Sequence, residues 1–136
     1  MKDLASAIDI RRVLSPVSVA DNTAQVGQII DTWGFRSLVF GISIGAVADS
    51  DATFAVLLEE SDAANMAGSL SVADADLIGT EAQAGFQFDS DHQTRKLGYR
   101  GSKRYLRLTI TPSANASAAL ISAVAILGHP FVLPVA

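Results

Sequence analysis

The chain has 136 residues, no cysteine and hydrophobic side chains at 49% of positions. That length fits one domain with a core needing no disulfide, and it excludes thiolate nucleophiles and Cys-ligated metal centres. The formal charge of −4 hides a segregation: residues 1–94 carry all fourteen acids and four bases, a balance of −10, while residues 95–136 carry six bases and no acid.

In chain order, MKDLASAIDIRR holds acids where a secretory leader needs an apolar run, so it does not read as one. Val13, Leu14, Val17 and Val19 straddle Pro16, which favours an extended or edge strand. From Asp21 to Trp33, DNTAQVGQIIDTW permits a short helix capped by Asp21 or Asn22, weakened by Gly27 and two isoleucines, or equally an ordered arm or strand. Residues 1–35 are therefore expected to be an N-terminal arm or first strands packed on or between subunits, and residues 36–136 a β-sandwich domain.

SLVFGISIGA alternates Leu38, Phe40, Ile42 and Ile44 with Val39, Gly41, Ser43 and Gly45, predicting a strand with one large and one small face. Asp49, Ser50 and Asp51 mark a turn, and TFAVLLEE puts Phe54, Val56 and Leu58 on one face. The two runs read as a hairpin. Residues 61–83 predict a long connection with a helical turn near Ala73 to Leu77, and AGFQF a short strand with Phe86 and Phe88 on one side. KRYLRLTITP points Leu106, Leu108 and Ile110 inward. AALISAVAILG fits a strand or an alanine-rich helix; its β-branched residues, and the need of Leu106 to Ile110 for a neighbour, favour the strand. Neither apolar stretch, Ser37 to Ala48 or Ala118 to Leu127, is long enough for a membrane-spanning helix. The fold class expected is all-β, a small jelly-roll-like β-sandwich with an extended or partly helical N-terminal arm.

Candidate chemistry is sparse. His92 lies among Asp89 and Asp91, an arrangement open to metal ligation or base catalysis but commoner in an exposed loop; His129 precedes Pro130 at a strand end. The pairs Asp49/Asp51, Asp74/Asp76 and Asp89/Asp91 suit turns better than calcium, since none completes the twelve-residue calcium loop. No nucleophile elbow or phosphate-cradling glycine loop occurs, and Glu59 with Glu60 is not a specific glycosidase pair. A non-enzymatic protein without a cofactor is expected.

The strongest local signal is RKLGYRGSKRYLR, where Arg100, Lys103, Arg104 and Arg107 interleave with Tyr99 and Tyr105. Such a run can track a nucleic-acid backbone, but the acidic remainder would repel a polyanion, so contact with an acidic protein surface, its own or a partner's, is favoured. The candidate interface residues are Arg100, Lys103, Arg104, Tyr105 and Arg107, with Trp33 and Phe35 as apolar anchors; core filling is an equal alternative for Trp33.

The segment GTEAQAG followed by RKLGYRGSKRYLRLTITPSANASAALISAVAILGHPFVLPV, with SLVFGISIGAV, FAVLLEES and DLIGTE upstream, resembles small head proteins of tailed bacteriophages, most of all their capsid cement or decoration proteins. The likeness covers most of residues 36–136. It implies a dimeric β-sandwich on the outer surface of an icosahedral capsid, bound to the major capsid protein. Such a protein is made in the host cytoplasm and has no membrane partner. The alternative reading is a carbohydrate- or receptor-binding sandwich of a phage tail or fibre, and a cell-wall hydrolase is a third.

Overall fold

A computed structural model describes residues 3–135. Among the described residues eleven strands form two antiparallel sheets: β1 (Ile8–Val19), β2 (Gln25–Val26), β3 (Ile30–Asp31), β4 (Phe35–Val47), β5 (Thr53–Ser61), β6 (Leu70–Ser71), β7 (Leu77–Ile78), β8 (Phe86–Gln87), β9 (Thr94–Tyr99), β10 (Tyr105–Ser113) and β11 (Ala119–Pro130). The first sheet runs β1-β11-β4-β9-β7. In the second, β10 and β5 are central, with β2 and β3 sharing the free edge of β10, and β6 and β8 that of β5. The chain is an all-β sandwich, as its alternating runs predict.

The alternation works as expected in the long strands. Leu38, Phe40, Ile42 and Ile44 of β4 meet Phe54, Val56 and Leu58 of β5 and Leu106, Leu108 and Ile110 of β10 in one buried core. AALISAVAILG is a strand whose core face is Ala119, Ile121, Ala123, Ala125 and Leu127. Small alanines there leave room for the large side chains of the opposite sheet.

Three expectations about neighbours are corrected. β4 and β5 are not a hairpin: β4 pairs with β11 and β9, β5 pairs with β10, and residues 48–52 carry the chain from one sheet to the other. With both edges of β4 occupied, the next strand had to start the opposing layer. For the same reason β11 does not serve as the neighbour of Leu106 to Ile110; it inserts between β1 and β4. Phe86 and Phe88 also diverge. Phe86 is buried and stacks on Phe54 at 4.6 Å, whereas the strand ends at Gln87 and a 3-10 turn over Phe88–Ser90 swings Phe88 outward.

Within the first 35 residues the structure places strands. β1 pairs along its length with β11, shifting register on either side of Leu14, and exposed Pro16 lies in the second irregularity, where an edge strand tolerates a missing N–H. The stretch from Asp21 to Trp33 forms β2 and β3 rather than a helix. Between them, the Gly27 N–H donates to the Leu108 carbonyl at 2.8 Å and the Gln28 N–H to the Val13 carbonyl at 3.0 Å, joining the two sheets through consecutive peptides. Elsewhere a four-residue helix α1 (Glu81–Ala84), capped by Thr80 on the Gln83 N–H, turns Glu81 towards β5. The Glu81 carboxylate accepts from the Leu58 N–H at 2.7 Å, in the gap between β6 and β8, so a buried edge donor is satisfied.

Only a residue without a side chain fits at the sheet junction. A Cβ on Gly27 would fall 2.6 Å from the Leu108 carbonyl oxygen and 2.7 Å from Val13 Cγ1. Gly27→Ala is expected to destabilise the fold by about 1–3 kcal/mol, the range for overpacking. Urea unfolding monitored by circular dichroism measures this, and an unchanged midpoint would show that the junction can open without loss.

Candidate functional site

The turn after β3 positions the most exposed aromatic cluster of the molecule. The Thr32 N–H and hydroxyl both donate to the Arg104 carbonyl, at 3.0 and 2.8 Å, and the Phe131 N–H donates to the Gly34 carbonyl at 2.8 Å. The turn is thus clamped between the start of β10 and the chain leaving β11. Gly34 adopts φ +94°, a left-handed conformation that lets the chain reverse between Trp33 and β4.

The clamp leaves Trp33 68% exposed and Phe131 50% exposed, packed edge to face with ring centroids 6.2 Å apart. Arg104 binds Asp31 through two parallel hydrogen bonds, Nε to Oδ1 at 2.8 Å and Nη2 to Oδ2 at 2.9 Å. Its guanidinium also lies 5.1 Å from the ring centres of both Trp33 and Tyr105. Arg36 sits 4.5 Å over Phe131 and donates to the Pro130 carbonyl at 3.3 Å. Guanidinium planes suit both tasks, forked carboxylate binding and stacking on a ring. Trp33, Arg36, Arg104 and Phe131 line a 460 Å³ groove with Phe35, Tyr99 and Lys103.

A second polar set fixes the groove's far wall. The Tyr99 hydroxyl donates to Glu60 Oε2 at 2.6 Å and accepts from the Lys103 N–H at 3.0 Å, while Lys103 Nζ binds Asp62 at 2.7 Å. Burial first, and the Glu60 carboxylate second, push the Tyr99 hydroxyl far above its ordinary pKa, so it remains a donor at all working pH values. The hydrogen bond from Arg104 holds the Asp31 carboxyl below its usual value of 3.8.

The structure gathers Trp33, Phe35, Lys103, Arg104 and Tyr105 at this end of the sandwich. Arg100 and Arg107 lie elsewhere. Arg100 Nε donates to the Ala75 carbonyl at 3.0 Å, and Arg107 pairs with Glu59 at 3.2 Å on the outer face of the second sheet. Trp33 is a surface residue and not core filling. Sequence reasoning missed Asp31, Arg36 and Phe131. Phe131 follows the HP that ends β11 but is brought beside Trp33 from 98 positions away, so no local pattern links the two.

The other candidates take structural places. Asp49 accepts from the N–H groups of Asp51 and Ala116, at 3.0 and 2.8 Å, and closes a turn. His92 is exposed, with its N–H on the Gly45 carbonyl, and His129 Nδ1 meets Ser37 Oγ at 2.7 Å. Among the described residues no group of three His, Asp or Glu side chains is close enough to hold a metal.

No family model matches the chain, and no curated protein sequence matches it. Solved structures superpose on the chain. The PBSX exported protein XepA superposes on 100% of this chain with a TM-score of 0.59 and 16% identity, the match spanning 41% of XepA. A Clostridium thermocellum xylanase 10B fragment carrying CBM22-1 and GH10 modules covers 97% of this chain and 28% of its own, at TM-score 0.48 and 10% identity. The SPBc2 prophage-derived protein YomS covers 88% of this chain and 92% of its own, at TM-score 0.38 and 10% identity. Identities this low establish a shared fold for XepA and nothing beyond it. The chain spans less than half of XepA.

The Asp31–Arg104 fork sets an acid-sensitive reporter, because the single Trp lies against Arg104. Asp31 has a depressed folded-state pKa, so its contribution is complete above 3.8 and is lost as pH falls through the lower folded value. Trp33 emission should stay constant from neutrality down to about pH 4 and shift only below it. Asp31→Asn should show the shifted emission already at pH 7, and a variant indistinguishable from the parent there would separate Asp31 from the tryptophan's environment.

Proposed function

We propose that this chain is a structural protein of a tailed-phage particle that decorates the outer surface of the capsid by docking on the major capsid protein. The observation that carries the reading is the solvent-facing cluster of Trp33, Phe131, Arg104 and Arg36 on a turn clamped from both sides. Tryptophan, tyrosine and arginine dominate the energetic centres of protein interfaces, and a turn that is rigid before binding loses little entropy on docking. The resemblance of residues 36–136 to phage head proteins supports the place in the particle. Modest affinity at each site suffices there, because many copies on one shell act together through high effective concentration.

A specific observation favours a second reading. The Trp33 ring opens onto a groove edged by Arg36, Ser102 and Lys103, which is an arrangement for stacking a sugar ring and binding its hydroxyls. That would make the module a receptor- or carbohydrate-binding part of a tail or fibre.

Co-sedimentation with capsids lacking the protein separates the two. Capsid docking predicts saturable, stoichiometric binding that weakens about thirtyfold in Trp33→Ala, the size expected for an interface centre. Arg107→Ala should leave docking intact and lower only thermal stability, since Arg107 is engaged with Glu59 away from the groove. No binding to mature shells across a range of salt, together with Trp33-dependent retention on cell-surface glycans, would replace the capsid reading by the second.

A further inference from the structure

The outward face of an antiparallel sheet in a sandwich is ordinarily polar. The second sheet mostly obeys this, with Thr53, Glu59, Arg107 and Thr111 turned away from the core beside the exposed Val26 and Leu57. The first sheet does not. Ile10 pairs with Ile126, Ile126 with Val39, Val39 with Gly98 and Gly98 with Ile78, so one aliphatic row crosses all five strands on the outer face. Ile10 is 60% and Ile78 59% exposed. Ile78 lies over Gly98, where a Cβ would come within 2.9 Å of it, and the row is therefore level instead of ridged. Leu4 and Leu133 close one side of the resulting groove, which has a volume of 770 Å³.

The charges in the adjoining row have one sign. The next row is Arg12, Val124, Gly41 and Lys96, and Arg36 and His129 line the groove's other flank. Neither these two rows nor the groove lining contains a carboxylate, on a chain with fourteen of them. Among the described residues Arg12, Arg36 and Lys96 form no salt bridge.

We propose that this face is a docking site for an extended, aliphatic segment of another protein that carries two acidic residues about four positions apart. Four inter-strand gaps make the row about 19 Å long, which matches roughly six residues of extended chain. Arg12 and Lys96 stand three gaps apart, about 14 Å, the separation of side chains four residues apart in such a chain. The apolar row supplies contact area, and the flanking cations select and orient acidic partners. The site is distinct from the Trp33 groove, although Arg36 borders both.

The test uses the whole chain, isotope-labelled for amide NMR, and a synthetic leucine/valine octapeptide with two aspartates four positions apart. Saturable shifts confined to residues 8–12, 37–41, 77–79, 96–98 and 124–128 are expected. Binding should weaken at least tenfold in Lys96→Glu, in Ile10→Asp and with the asparagine version of the peptide, and stay unchanged in Trp33→Ala. All three protein substitutions lie at exposed positions, and the amide spectrum itself reports whether each variant remains folded. Absence of saturable shifts, or shifts centred on Trp33 and Phe131, would overturn the proposal. So would tighter binding of decanoate at the same residues, which would make the groove a lipid site. A concentration-dependent dimer, dispersed by Ile10→Asp and indifferent to the peptide, would assign the face to a second copy of the chain.

Discussion

Residues 25–35 cross the open side of the sandwich, and the site and much of the fold depend on how that crossing is held. Two consecutive peptides, at Gly27 and Gln28, hydrogen-bond to strands of opposite sheets. β2 and β3 on either side occupy the free edge of β10. This closes one lateral seam of the core with backbone bonds, which do not depend on side-chain rotamers. It also delivers Asp31, Thr32 and Trp33 to the start of β10, where Arg104 completes the turn. The aromatic cluster is thus an extension of the seam: what closes the core also presents the tryptophan.

The segregation of charge along the chain dissolves in space. Lys103 meets Asp62, Arg104 meets Asp31 and Arg107 meets Glu59, so three of the six bases after residue 94 find acids from before it. Partly exposed pairs of this kind contribute little net stability, generally under about 1 kcal/mol each. Their effect is geometric. A guanidinium held by a two-pronged carboxylate cannot sweep, so Arg104 stays stacked on Trp33 and Tyr105 and the aromatic cluster is ordered before any partner arrives.

The long strands were legible because alternation is a local property. β4, β5 and β10 announce their buried faces within ten residues, and Pro16 correctly marked an edge. Pairing was not legible, since the same alternation serves a hairpin or a crossing between sheets, and what decided against the β4–β5 hairpin was competition from β9 and β11 for the edges of β4. The site shows the same division. Trp33 and Arg104 stand out by residue type, yet Asp31 is unremarked until Arg104 is beside it. Arg36 and Phe131 become site residues only because the chain leaving β11 bonds back to Gly34. The outer row of the first sheet was hidden for a related reason: it takes one residue from each of five strands, and only the register aligns them.

The capsid-decorating role proposed above would require contact with more than one neighbour, and a small sandwich has few ways of providing it. Its two layers leave two outer faces and two ends. Here the second sheet's outer face is mostly polar and internally paired through Arg107 and Glu59, with Val26 and Leu57 its exposed aliphatic side chains. The Trp33 end and the first sheet's outer face carry apolar grooves, and Arg36 lines both. Surfaces that share a residue cannot be filled independently. A partner that draws the Arg36 guanidinium away from Phe131 would alter the wall of both grooves, so occupancy of one site biases the other by whatever that displacement costs. The contact corner, more than either groove alone, is where this fold would register that it is bound on both sides.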